Sequence, residues 1–206
     1  MTVTEIKEIS AKKVLIITDE EYDLPLSSYD VKKYKILPGS EIDSDLLEEI
    51  KEKVIYPVAL NKALYLIRAK EYTKHEMEQK LVQSHYPEDI ISSVLNELEK
   101  NRFIDDERYV ENYISCHCAI KSVQVVKITL MTKGIEKDTI EEAIDHYQEE
   151  NPDQEMILCK QLLEKKYSSG TDEPDFNTVN KAKMFLVRKG FSYSVADSAV
   201  KEFFDI

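Results

Sequence analysis

Two short clusters in this chain hold side chains able to do chemistry. Cys116-His117-Cys118 offers thiolate and imidazole ligands for zinc. Structural zinc sites take two pairs of ligands with two to four residues between the members of each pair. Here the three residues are consecutive on a predicted helix, where neighbours i and i+2 face apart. Cys159 is far along the chain, so the cysteines read as small apolar core residues. The second cluster, Asp105-Asp106-Glu107, has the makings of a divalent-metal site or an acid/base pair. The same carboxylates also suit the start of a helix near Asp106. There they accept bonds from free N–H groups and favour the dipole, each worth about 0.3–1 kcal/mol. That second reading needs no further ligand. His75, His85, His117 and His146 share no spacing that suggests a catalytic set, and 4 Gly in 206 residues leave no phosphate-binding loop. The sequence predicts no enzyme, no metal and no cofactor.

Charge segregation carries more. Residues 112–135 contain no acid but include Lys121, Lys127 and Lys133. Residues 176–196 again contain no acid but include Lys181, Lys183, Arg188 and Lys189. The chain as a whole carries −12. Two basic windows on an acidic body would orient an encounter with an acidic partner.

Both windows fall at one place in a repeat. With Leu81, Leu130 and Leu186 in one column, a hydroxyl stands eight residues before each: Thr73, Ser122 and Thr178. Five after each comes a large apolar residue: Tyr86, Ile135 and Phe191. Ten and fourteen after come Ile91, Ile140 and Ala196, then Leu95, Ile144 and Val200. Recurrence at intervals of this size marks stacked copies of one unit. Each copy reads as three helices. Thr73 with Glu76 forms a capping box for the second helix of the first copy. Ser122 and Thr178 take the cap position in the others, and Asp105 and Asp106 cap the first helix of the second copy. Gly134, Gly190 and His85 stand where a left-handed residue would end the second helix. The windows therefore cover equivalent second helices, near 122–133 and 177–189, and the lysines and arginine form one candidate partner-binding face. Helices near 106–118, 137–149, 152–167 and 193–204 complete units two and three.

Residues 1–42 differ. Val14-Leu15-Ile16-Ile17 and Tyr22-Asp23-Leu24-Pro25-Leu26 predict a hairpin around the acidic turn 19–21, with Pro25 on an edge strand. Ser27 caps a short helix, and Asp43 or Ser44 caps another that Pro57 breaks or kinks. The expected division is an extension over 1–57 and repeats over 58–105, 106–150 and 151–206. The polar run 168–175 supplies the extra residues of the last interval. The fold class is mainly α: three tandem three-helix repeats in an elongated curved array, with a small N-terminal β-hairpin and helix.

At 206 residues and 42% hydrophobic, the chain buries a real core. The net −12 argues against a general polyanion binder. No stretch approaches the ~18 apolar residues of a membrane span. The N-terminus has no secretory signal, and 3 Cys in no framework suit a reducing cytoplasm.

Several segments resemble the RecX family, regulators of the RecA recombinase. Residues 101–110 (NRFIDDERYV) are similar to its core motif. Residues 73–81 (TKHEMEQKL), 130–135 (LMTKGI) and 186–192 (LVRKGFS) are similar to the second helices of its three repeats. The resemblance covers about residues 58–204. It implies tandem repeats that bind along the RecA filament and modulate RecA activities, usually by inhibition; beside it, the net −12 leaves nucleic acid contacted only indirectly or weakly, and a monomer is expected. Ile120-Lys121-Ser122 departs from the Gly and Arg many members carry there, and Val110 replaces an Ala. The rival reading is a DNA-binding transcriptional regulator whose basic second helices act as helix-turn-helix readers.

Overall fold

The computed structural model describes residues 1–20, 22–167 and 175–206. Glu21 of the expected acidic turn, and residues 168–174 of the expected polar loop, lie outside the described residues. The chain divides into two compact units, Met1–Asp105 and Asp106–Ile206.

In the first unit, β1 (Val3–Ser10), β2 (Lys13–Thr18) and β3 (Leu24–Ser27) form one antiparallel sheet in that order. The expected hairpin is β2 and β3, and β1 enlarges it to three strands. Pro25 pairs with Leu15 on the edge strand β3, where the missing N–H costs no central ladder bond. Ser27 caps α1 (Ser28–Lys33) by accepting the Asp30 N–H at 3.1 Å. Asp43 caps α2 (Ser44–Ile50) by accepting the Leu46 N–H at 2.8 Å.

Pro57 does not break the chain here. Helix α2 passes into a π-helical segment (Lys51–Ile55) and then directly into α3 (Tyr56–Ile67). The π segment changes the hydrogen-bond register just before the proline. Pro57 then sits in the first turn of α3, where its lack of an N–H is tolerated. α4 (Lys74–Val82) and α5 (Glu88–Lys100) complete the first repeat. One core joins the sheet's Ile16, Leu24 and Leu26 to Ile55, Ala59, Met77, Leu81 and Leu98 of the helices. Asp89 of α5 ties these parts at the surface. It accepts from Tyr22 at 2.6 Å and pairs with Lys51 at 2.7 Å. Burial alone would raise the Asp89 carboxyl, but the Lys51 and Tyr22 hydrogen bonds hold it below its ordinary value.

The second unit holds two repeats: α6 (Asp106–His117), α7 (Val123–Thr132) and α8 (Lys137–Glu150), then α9 (Gln154–Lys166), α10 (Phe176–Arg188) and α11 (Tyr193–Phe204). Their ends match the sequence expectation within two residues. Leu81, Leu130 and Leu186 are fully buried. At each, the second helix ends in the same double hydrogen bond. Tyr86, Ile135 and Phe191 donate their N–H to the carbonyls of Leu81, Leu130 and Leu186, each at 3.3 Å. His85, Gly134 and Gly190 donate to Val82, Met131 and Val187 at 2.8–3.0 Å and take φ of 62°, 79° and 93°. This is the Schellman ending, in which the apolar residue after the left-handed one packs back on the helix. The column is therefore a structural register, repeated three times.

The caps hold in two repeats and shift in the third. Thr73 and Glu76 form the capping box of α4. Ser122 caps α7 through the Val125 N–H. Thr178 is not a cap: α10 begins one turn earlier, where Asp175 accepts the Thr178 N–H at 2.7 Å. An aspartate three residues upstream outcompetes the threonine because its ionised oxygen binds an N–H more strongly.

Candidate docking face on the second helices

The metal reading fails in the geometry of α6. Cys116 is exposed while Cys118 is buried. His117 stacks on Tyr113 with ring centroids 3.8 Å apart, and Tyr113 stacks on Tyr109. Burial, and then the charge of Glu155, push the Cys118 thiol up to about 11 and the Cys159 thiol up to about 12. Both thiols stay protonated at neutral pH and are poor metal ligands. Among the described residues no group of three or more His, Cys, Asp or Glu could hold a metal. Asp106 and Glu107 lie in the first turn of α6, and Asp105, just before it, has its Oδ2 3.8 Å from Arg102 Nε.

The seven basic residues on the second helices separate into two kinds. Lys127 and Lys183 point inward within their own repeats. Lys127 is ion-paired to Glu141 of α8, and Lys183 to Asp197 of α11 at 2.5 Å. These pairs are equivalent: each lysine lies three residues before the column leucine and each carboxylate eleven after it. Repeat one has Glu78 and Ser92 at these places and lacks the pair. A lysine hydrogen bond holds the Glu141 and Asp197 carboxyls below their ordinary values, with Lys137 and Lys201 adding to it.

Three of the remaining five cations face outward. Lys181, Arg188 and Lys189 are exposed, Lys121 is half-buried, and among the described residues none of these four is ion-paired. Lys133 lies over the Tyr109 ring at 5.4 Å, and Lys189 over Phe185 at 5.9 Å. Within the unit, α7 starts where α10 ends. Ser122 Oγ donates to the Lys189 carbonyl at 2.9 Å, and Glu155 of α9 accepts the Val123 N–H at 3.0 Å. Lys121 is thereby brought beside the Arg188-Lys189 end of α10. The inward pairs were missed in the sequence because the acids lie on the third helices. The signal was present in the register.

The internal pairs make an acid prediction. A carboxyl with a depressed folded pKa contributes stability that is complete above its unfolded pKa, near 4, and is lost as pH falls through the folded value. Thermal melting of the chain should therefore drop between pH 5 and pH 3. Replacing Glu141 and Asp197 with Gln and Asn should flatten that drop. An unchanged pH slope in the double variant would show that the pairs add nothing.

This architecture is that of an α-helical tandem-repeat protein with an N-terminal sheet. Residues 59–98 match the family model described as RecX, first three-helix domain, and residues 153–200 match RecX, third three-helix domain. The chain is 30% identical over 204 residues to a regulatory protein RecX of Streptococcus mutans, covering 96% of this chain and 76% of that protein. It is 26% identical over 204 residues to one of Clostridium botulinum, covering 98% and 95%. A solved RecX structure from Lactobacillus salivarius, 29% identical, superposes with a TM-score of 0.61 over 73% of this chain and 97% of that one. A second crystal structure of regulatory protein RecX shares the fold, with a TM-score of 0.63 over 99% and 98% at 22% identity. The chain belongs to the RecX family.

Proposed function

We propose that this chain binds the RecA recombinase filament and inhibits its strand exchange, ATP hydrolysis and co-protease activity. It would act without catalysis of its own, in the cytoplasm, in DNA repair and the SOS response. Membership of a family whose relatives are named regulatory proteins supports the class of function. The observation that carries the site is the outward set of cations on α7 and α10, within a chain of net −12. Lys121, Lys133, Lys181, Arg188 and Lys189 would meet acidic recombinase surface, with Lys127 and Lys183 holding their helices in place from behind.

Reversing Lys181, Arg188 and Lys189 to Glu should weaken inhibition of the RecA ATPase at least tenfold with no change in melting temperature. Lys127→Glu would face Glu141 and so lower stability together with charge, which these three exposed positions avoid. Unchanged inhibition sinks the reading. Tight binding of naked duplex, falling steeply as salt rises, would instead support a DNA-reading regulator.

A further inference from the structure

The cations do not fill the face alone. Ile128 and Met184 occupy one register position, two before Leu130 and Leu186, and Met131 and Val187 another, one after. Ile128 is 51% exposed, Met131 47% and Met184 42%. Repeat one has Gln79 and Val82 at these places. A single exposed apolar side chain is ordinary and needs no account. The first place is apolar in two successive repeats and the second in all three, and in unit two Ile128, Met131 and Met184 stand exposed on the helices that carry the unpaired cations Lys121, Lys181, Arg188 and Lys189. On α10 the exposed line is Lys181, Met184 and Arg188, at i, i+3 and i+7. On α7 it is Gln124, Ile128 and Met131, at i, i+4 and i+7, with Lys121 just before the helix and Lys133 at its end.

The geometry points to an acidic amphipathic protein segment as the ligand of this face. Its apolar side chains lie on Ile128, Met131 and Met184, and its carboxylates meet Lys121, Lys181, Arg188 and Lys189. This rests on the reading of α7 and α10 as the partner-binding face and states what chemistry the partner must bring. Two observations favour a protein over a phosphodiester strand. Nucleic-acid interfaces are more polar and much more positive than protein interfaces, yet two of the seven basic residues here are neutralised from within. Apolar contacts gain only against an apolar partner, and Met, whose unbranched chain adapts to irregular surfaces, is enriched where proteins dock. The cations then set orientation and approach, and the apolar residues set affinity.

The test compares the parent chain with a triple variant, Ile128→Ser, Met131→Ser and Met184→Ser. The sites are exposed, so melting should not change. Two binding measurements are made: co-sedimentation with RecA filaments, and fluorescence anisotropy with labelled peptides and an oligothymidylate. A synthetic amphipathic peptide of leucine and glutamate should bind the parent, and the triple variant should bind it roughly 30-fold or more weakly. Polyglutamate of equal length and the oligothymidylate should bind the parent poorly. Raising salt from 50 to 200 mM should weaken peptide binding by less than about tenfold, whereas six or more phosphate contacts would lose roughly a thousandfold. Equal peptide binding by parent and variant, or oligothymidylate binding tighter than the peptide, overturns the proposal. Filament sedimentation reads the other claim. A parent that binds the peptide but ignores filaments sinks the RecA assignment and leaves this inference standing. A variant that still sediments like the parent sinks the inference and leaves the assignment.

Discussion

Replacing Gly190 with alanine is expected to cost the second unit about 3 kcal/mol. Two penalties act together. The residue holds φ at +93°, where a Cβ crowds the following carbonyl at a cost of roughly 1–2 kcal/mol. A Cβ built there would also stand 2.5 Å from Ser122 Oγ and 2.8 Å from Val125 Cγ2, and such overpacking costs about 1–3 kcal/mol. Gly39 is the control: φ is +85° and nothing lies within 4 Å of its Cβ position, so Gly39→Ala should lose only the strain, about 1–2 kcal/mol. Urea unfolding of both variants gives the comparison. Adding Ser122→Ala to Gly190→Ala should cost less than the sum of the two singles, because the clash is shared. Equal losses at Gly190 and Gly39 would mean that the turn alone explains the glycine.

Gly190 therefore has two jobs. It ends α10, and it seats the start of α7 against the end of α10. Ser122 joins both: its Oγ caps the Val125 N–H and donates to the Lys189 carbonyl. Glu155 adds a third tie by accepting the Val123 N–H. In repeat one the same left-handed place is held by His85 at φ 62°, so the turn by itself does not demand glycine there. What demands glycine at 190 is the close approach of the neighbouring repeat.

Much of this was legible in the sequence because the repeat register has a physical cause. The left-handed residue, the buried apolar residue after it and the column leucine belong to one hydrogen-bonded turn, so they recur at fixed spacing. What was illegible lacked such a cause or crossed between elements. Strand β1 buries only Val3, while most of its residues are exposed, so alternation gave a weak signal. The helix through Pro57 depends on a π segment that no local pattern announces. The cap at Asp175 was hidden because the hydroxyl column pointed to Thr178 in its place. On the candidate face, the sequence grouped seven basic residues by helix. It did not show that Lys127 and Lys183 answer to acids on the next helix, nor that Ile128, Met131 and Met184 stay exposed. Which way a side chain turns is set by the packing of its neighbours, and one sequence read in windows does not contain that.

Leu130→Ala should be the most damaging of the substitutions considered, at about 3–5 kcal/mol. Leu130 is fully buried with Val110, Ile114, Val126 and Ile140 around it. Truncation loses the transfer free energy of the side chain and leaves a cavity that the surrounding helices only partly close. Leu130→Met keeps most of the volume and should cost less than about 1.5 kcal/mol. The backbone carbonyl that ends the helix is untouched in both, so the difference between them reports packing and not the turn. Two residues away, Ile128→Ser should change stability by no more than about 0.5 kcal/mol, since the side chain is already half in water. Its effect belongs in the binding measurements. Unfolding in urea by two probes separates the cases, and coincident transitions justify the free energies. A large loss at Ile128 would place it in the core and remove it from the docking face. A small loss at Leu130 would show that the repeat column does not carry the stability of its unit. The helix is thus divided within one turn between two faces: Leu130, facing in, holds the repeat together, and Ile128, facing out, is free to meet a partner.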